Sequence, residues 1–165
     1  MSVGYVDSGR ATQTTAQPIV VDSFAAAEAA IREMIEPIRN PQLSPEEWQS
    51  TIEEIQRQHG EYFDRQAGPD GAWAPLSPLT VAKKGHNKIL YEQSILQDSL
   101  QHSGAMHSIR EPNPTELVYG TDRPWAWVHQ EGAGLPQRQH VGLTEEGTDA
   151  VAETVADAVV QMLFG

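Results

Sequence analysis

The sequence predicts an α+β fold in which long N-terminal and C-terminal helices pack on a small antiparallel sheet of short strands. Apolar residues recur at helical spacing on both flanks of the chain, around residues 24–35, 44–66 and 144–163. Between these flanks, prolines and glycines separate short apolar stretches that are typical of strands and turns. Neither an internal repeat nor a second domain is evident, so residues 22–165 are expected to form a single domain.

The first 21 residues are predicted to be a flexible N-terminal arm, because they are largely polar and lack helical periodicity. Asp22-Ser23 is a plausible N-cap for an alanine-rich helix over Phe24–Ile35. Pro37 and Asn40-Pro41 are expected to end that helix. Residues 22–43 therefore form an extra helix and a linker that precede the rest of the domain.

A second helix is predicted from Ser44 to about residue 66. Ser44 and Glu47 have the spacing of a capping box, and Pro45 occupies the favoured first helical position. His59 lies on the apolar side of this helix, so we expect a histidine at the edge of the core rather than a ligand. The apolar residues at 3.6-residue spacing are Trp48, Ile52, Ile55, Tyr62 and Phe63.

The centre of the chain changes character. Gly68–Gly71 has the composition of a turn, and the following apolar segment, residues 73–80, contains two prolines that disfavour a helix interior or a central strand. Lys83–Lys88 is predicted to be a polar loop. Two strand-like stretches, 107–110 and 116–119, flank a proline-containing turn and predict a β-hairpin.

The C-terminal part begins with a short aromatic element and ends in a long helix. Trp125–His129 is predicted to be a short buried helix or strand, followed by a loop over Gly132–Gln139. Thr144 can cap the last helix, and Glu145 and Glu146 stand at the positive end of its dipole. An apolar stripe continues almost to the end of the sequence.

Composition excludes several classes of protein. The chain has 165 residues and no cysteine, so it can hold no disulfide, thiolate zinc site or iron–sulfur cluster. No apolar run approaches the ~20 residues that a membrane helix needs, and the N-terminus lacks the pattern of a signal peptide. Lys and Arg number 11 against 23 Asp and Glu, a net charge of −12, which argues against a broad phosphate-binding surface.

The acidity is uneven along the chain. Residues 22–70 hold 11 acids and 4 bases, and residues 111–165 hold 9 acids and 2 bases, so each block has a net charge of −7. Residues 71–110 hold 2 acids and 4 bases, a net charge of +2. This stretch leaves open a nucleic-acid-binding module that would use Lys83, Lys84 and Lys88.

The sequence contains no recognised motif of catalytic residues. None of the six histidines belongs to a helical metal motif, although His102, His107 and His129 leave open a metal-dependent hydrolase. The sequence has no nucleophile elbow and no glycine-rich phosphate loop, and its paired glutamates stand where helix capping explains them. We therefore expect no enzyme, no cofactor and no metal.

Two ordered sets of residues resemble the phage virion-morphogenesis family, the tail-completion proteins of Mu-like and P2-like contractile-tailed phages. The resemblance covers about residues 60–160. The first set follows the pattern W-x-P-L-S-x-x-T and the second the pattern H-Q-x-G…R…G-L-T. The residues that carry it, and that we predict to act in assembly, are Trp73, Pro75, Leu76, Thr80, Lys83, Trp125, His129, Gly132, Arg138 and Gly142.

The resemblance implies a structural component of a phage or prophage virion and not an enzyme. It implies tail completion and head–tail joining at the neck, as a tail-terminator-like ring of identical subunits, for which a hexamer is one candidate form. The implied partners are further copies of the chain and other neck, tail and head-completion proteins. DNA would pass without specific binding, no membrane would be involved, and the virion would be assembled in the bacterial host cytoplasm.

Overall fold

The computed structural model describes residues 24–165, so the predicted arm at 1–21 and the predicted cap at Asp22-Ser23 lie outside the described residues. The chain divides into two units, Met1–Glu36 and Pro37–Gly165, each of which is described by itself. Helix α1 spans Phe24–Arg39. Within the first unit, the side chains of Ile31 and Met34 on this helix are exposed.

Helix α1 contains Pro37, so the prediction of a stop at this proline is wrong, whereas the helix does end directly before the second predicted stop, Asn40-Pro41. A proline lacks the N–H for one intrahelical hydrogen bond, and its ring crowds the carbonyl four residues earlier. The helix ends at Arg39, two residues after the proline. The energetic cost of the proline therefore falls on the last turn, where few intrahelical hydrogen bonds remain to be lost.

The second helix of the prediction is α2, which spans Gln49–Arg65. The capping box is present: the Ser44 N–H donates to Glu47 Oε2 at 2.6 Å, and the Glu47 N–H donates to Ser44 Oγ at 3.3 Å. It closes a turn over residues 45–48, so the regular helix begins a few residues later than predicted.

Short elements fill the centre of the chain. β1 (Ala67–Gly68) and β2 (Gly71–Ala72) pair around the predicted turn, and α4 spans Ile95–Gln101. α3 spans Pro78–Lys84, with Ser77 Oγ accepting from the Thr80 N–H at 3.1 Å. This helix includes Lys83 and Lys84, the first two residues of the predicted Lys83–Lys88 loop. Pro78 is compatible with it because it occupies the helix start rather than an interior position.

The remaining elements agree with the sequence. β3 (Ser108–Asn113) and β4 (Glu116–Thr121) form the predicted antiparallel hairpin. α5 spans Ala126–Glu131, and α6 spans Glu145–Phe164, with Thr144 Oγ1 accepting from the Gly147 N–H at 3.0 Å. The α+β class is confirmed, although the strands in the described part form two separate two-stranded sheets.

The core of the second unit has two clusters that share α2. The larger cluster joins Tyr62 and Phe63 of α2 to Leu96 and Leu100 of α4. The smaller one places Trp48 and Ile52 against Ala158 of α6. Helix α2 therefore packs on both α4 and α6 and is the central element of this unit.

Arg110 connects the β3–β4 hairpin to the end of α4. Its guanidinium lies 3.6 Å from the ring centre of Tyr119 and donates to the carbonyls of Ser99 and Leu100 at 3.0 and 2.9 Å. A cation at these carbonyls satisfies the C-terminal end of the helix and complements its dipole.

His59 is buried between α2 and this hairpin, with 1% of its surface exposed. Its ring lies 5.2 Å from that of Tyr119, and Nδ1 lies 2.7 Å from the carbonyl of Ile55, which assigns the proton to Nδ1. Nε2 has no hydrogen-bond partner in the described part of the chain. Burial, opposed only by that hydrogen bond, lowers the pKa of His59 to about 4. His59 is thus a neutral core residue.

Acid should destabilise the fold through His59. Because its pKa is lower when folded than when unfolded, its contribution is complete above about pH 6.5 and is lost towards pH 4. The loss is at most about 3 kcal/mol. Urea unfolding between pH 7 and 4 should show that the free energy of unfolding falls less steeply with decreasing pH for His59→Gln than for the wild type. The residual slope arises from other groups, among them His140 and His129, whose pKa values burial also lowers.

His102 is exposed, so His102→Gln is the matched control and should keep the wild-type pH slope. Identical slopes for His59→Gln and the wild type would contradict this assignment.

Candidate functional site

A cleft of about 370 Å³ opens on the second unit. One wall comes from α3 and the segment that leads into it, another wall comes from the segment between Arg123 and Arg138, and residues 90–96 supply the rest of the lining. The lining mixes apolar side chains with three cations, Lys84, Arg123 and Arg138, and a single acid, Glu92. This cationic cleft is unlike the surface expected of a chain with a net charge of −12.

The two walls are joined beneath the cleft by Trp73. Its side chain is 6% exposed, packs edge-on against Phe63, and donates from Nε1 to the carbonyl of Gln139 at 2.7 Å. Gly68 allows this approach, because a Cβ there would lie 1.9 Å from that carbonyl oxygen. The indole hydrogen bond therefore requires a glycine at residue 68.

Arg138 supports the same junction. Its side chain is buried, and it donates from Nε to the carbonyl of Ala74 at 2.9 Å and from Nη2 to that of Pro75 at 3.3 Å. No carboxylate of residues 24–165 lies within ion-pair distance of this guanidinium. Burial lowers the pKa of Arg138, but an arginine stays charged at neutral pH. The positive charge of Arg138 thus has no counter-ion among the described residues.

His129 faces the cleft from α5. Its ring packs edge-on against Trp125, and its Nδ1 is buried without a partner among the described residues. Burial lowers the pKa of His129, as do the nearby charges of Arg138 and Lys84. The histidine is therefore neutral at pH 7.

Gln130, the next residue on α5, closes the loop behind the cleft. Its Oε1 accepts from the backbone N–H groups of His140 and Val141 at 3.0 and 3.1 Å, and its Nε2 donates to the Val141 carbonyl at 2.8 Å. Gln130 was not among the predicted assembly residues. Its position within H-Q-x-G was the only signal in the sequence.

Arg123 forms the far end of the cleft. Its guanidinium lies 5.3 Å from the ring centre of Trp125, and Nη1 donates to His107 Nε2 at 3.2 Å. His107 in turn donates from Nδ1 to Asp122 at 2.7 Å. Nε of Arg123 is buried and has no partner in the part of the chain that the structure describes.

The structure brings most of the predicted assembly residues to this cleft. Trp73 and the carbonyl of Pro75 bind the residues of the opposite wall. Gly132 ends α5 at φ +73°, and Gly142 has φ +140° and packs on Pro69. Five predicted residues line the cleft, namely Leu76, Thr80, Trp125, His129 and Arg138.

One expectation fails here, and one predicted assembly residue lies elsewhere. Lys83 is exposed on α3 and does not line the cleft, whereas the adjacent Lys84 does. The segment around Trp125 is not buried as predicted, since Trp125 is 37% and Trp127 is 59% exposed. Only Ala126 of α5 is buried, so this short helix presents its large aromatic side chains to the surface.

The histidines of the metal-dependent alternative and the lysines of the nucleic-acid-binding alternative make separate contacts. Within residues 24–165, no group of three or more His, Asp or Glu side chains is placed to hold a metal ion, and His102 is exposed at the end of α4. Lys84 donates to the Lys88 carbonyl at 3.2 Å, while Lys88 Nζ lies 4.9 Å from the ring centre of Tyr91.

A sequence model of the phage virion morphogenesis family matches residues 28–160. The match includes both walls of the cleft, all of α2 and most of α6. No curated protein and no solved structure matches the chain. Among residues 24–165, no helix has the length and apolar character that crossing a membrane requires.

Replacing Arg138 by lysine should weaken the junction of the two walls. A lysine cannot reproduce the fork that reaches two backbone carbonyls, so we expect a loss of about 1–3 kcal/mol in the free energy of unfolding. Urea denaturation followed by tryptophan fluorescence measures it. Arg65→Lys, at an exposed ion pair with Glu61, is the control and should change stability by less than about 0.5 kcal/mol. Equal effects would show that the fork is not needed.

Proposed function

The chain belongs to the phage virion morphogenesis family, and on this premise we propose that it completes the phage tail and joins it to the DNA-filled head as a homo-oligomeric ring. Membership of the family makes it a phage structural or assembly protein and a virion component. Tail completion, a place at the neck and the ring are our proposal.

The observation that carries the proposal is the composition of the cationic cleft. The family match spans both walls, and the residues of both motifs meet there. Tryptophan and arginine are the residues that most often dominate the energy of protein–protein contacts, and Trp125 and Arg123 stand together at this surface. A partly exposed aromatic beside unpaired cations is better suited to holding a partner than to packing a monomer.

The chemistry of the cleft favours recognition over catalysis. Thr80 is the one serine or threonine that lines the cleft. Its Oγ1 is hydrogen-bonded to Ser77 Oγ at 2.8 Å at the start of α3. His129 is not paired with it in the described structure. A nucleophile within reach of a base is what covalent catalysis requires. We therefore propose a structural role without catalysis.

The charge of the chain fits a component around which DNA must move. Two of its three sequence blocks beyond the first 21 residues have a net charge of −7, and like charge repels the phosphate backbone. We propose that DNA passes such a ring without specific binding. Salt-dependent retention of DNA at physiological ionic strength, lost when Lys83, Lys84 and Lys88 are neutralised, would favour the nucleic-acid-binding alternative instead.

Deletion of the gene from its phage or prophage should leave heads and tails that do not form stable joined particles. Wild-type protein supplied in trans should restore the titre of infectious particles. Trp125→Ala should reduce that titre by about a hundredfold, the effect expected of a lost interface anchor. Plaque titre and electron microscopy of the particles measure both effects.

Trp127→Ala is the matched control, because Trp127 is a more exposed tryptophan that does not line the cleft. It should complement as the wild type does. A deletion mutant with a normal titre and normal particles would refute the proposed function.

A further inference from the structure

The cationic cleft and the outer face of α6 complement each other, and we propose that the cleft of one copy binds α6 of a second copy. This inference rests on the proposed ring and adds to it the contact that would build it. No residue of α6 lines the cleft of its own chain. One copy therefore carries both halves of the contact on separate surfaces.

The cleft supplies cations that form no ion pair with a carboxylate of the described residues. Neither Lys84 nor Arg123 has a carboxylate of residues 24–165 within ion-pair distance. Lys84 is held only by a backbone carbonyl, and the buried Nε of Arg123 has no partner in the described part. Beside these cations lie the apolar side chains of Leu76 and Trp125. The cleft thus suits a segment that offers carboxylates next to apolar side chains.

The outer face of α6 is such a segment. The helix carries five acids and no base. Glu153 and Asp157 are exposed without a described cation at ion-pair distance, and Val160 and Phe164 are 55% and 79% exposed. At about 100° per residue, these four positions fall within about 60° of one another around the helix. We call them the α6 stripe.

The opposite face of α6 is already occupied. Ala158 is buried in the smaller core cluster, and Thr154 Oγ1 lies 3.0 Å from Thr51 Oγ1 of α2. The stripe therefore points away from the core on a helix whose position α2 determines. From Glu153 to Phe164 the stripe is about 16 Å long, with its charges at one end and its apolar residues at the other.

The dimensions favour side chains entering the cleft while the helix lies across its mouth. A helix with its side chains is about 10–12 Å wide, too large for a cavity of about 370 Å³, whereas a few projecting side chains fit. Because the two surfaces differ, the contact is head-to-tail. Repetition of such a contact generates a ring where the rotation closes, and an open filament where it does not.

Charge reversal on the two surfaces separately and together tests the contact. Light scattering of the purified wild-type chain should show an oligomer whose mass falls as the salt concentration rises. Lys84→Glu with Arg123→Glu, or Glu153→Lys with Asp157→Lys, should weaken association at least tenfold, because like charges then face each other. All four changes in one chain should restore the oligomer.

Circular dichroism confirms that each variant is folded, and Arg39→Glu with Asp64→Lys is the control, since both residues are exposed and neither belongs to the cleft or the α6 stripe. A chain that stays monomeric at about 100 μM, or an oligomer that neither reversal weakens, overturns the inference. If the chain is monomeric but Trp125→Ala still lowers the titre, another virion protein occupies the cleft, and tail completion stands without the homo-oligomeric ring.

Discussion

The architecture of the second unit depends on one close approach, that of Gly68 to the carbonyl of Gln139. This approach lets the buried indole of Trp73 donate to the same carbonyl, and it brings together two chain segments more than 60 residues apart. Arg138 secures the junction from the other side through the carbonyls of Ala74 and Pro75. A cleft between two loop-rich walls keeps its shape only if the walls are fixed to each other, and these bonds fix them.

The same design leaves the cleft positive. Arg138 and Arg110 both donate to backbone carbonyls rather than to carboxylates, so each retains its positive charge. At the end of α4 that charge is offset by the helix dipole, whereas beneath the cleft no described acid offsets it. Burial keeps His129 neutral, as do the nearby charges of Arg138 and Lys84. The cleft therefore attracts anions on a chain that is strongly acidic overall.

Local sequence signals predicted many of the helices and strands, but they did not predict which side chains are exposed. The capping box at Ser44, the cap at Thr144 and the β3–β4 hairpin are encoded within a few residues each, and all three are present. The cleft was predictable only as a set of residues, because their convergence depends on contacts such as Trp73 with Gln139. The choice of Lys84 over Lys83 depends on α3, since adjacent residues of a helix point about 100° apart.

The uneven distribution of charge favours one relative orientation of neighbouring copies. Copies with a net charge of −12 repel each other at long range, so association requires a local patch of opposite sign that is closer than the screening length of about 8 Å in physiological salt. The cleft is such a patch, and the acid-rich α6 is its counterpart on a different surface. Two copies approaching with the same face toward each other would oppose like charges. An arrangement that places each cleft against the next α6 avoids this repulsion and orders the copies in one sense.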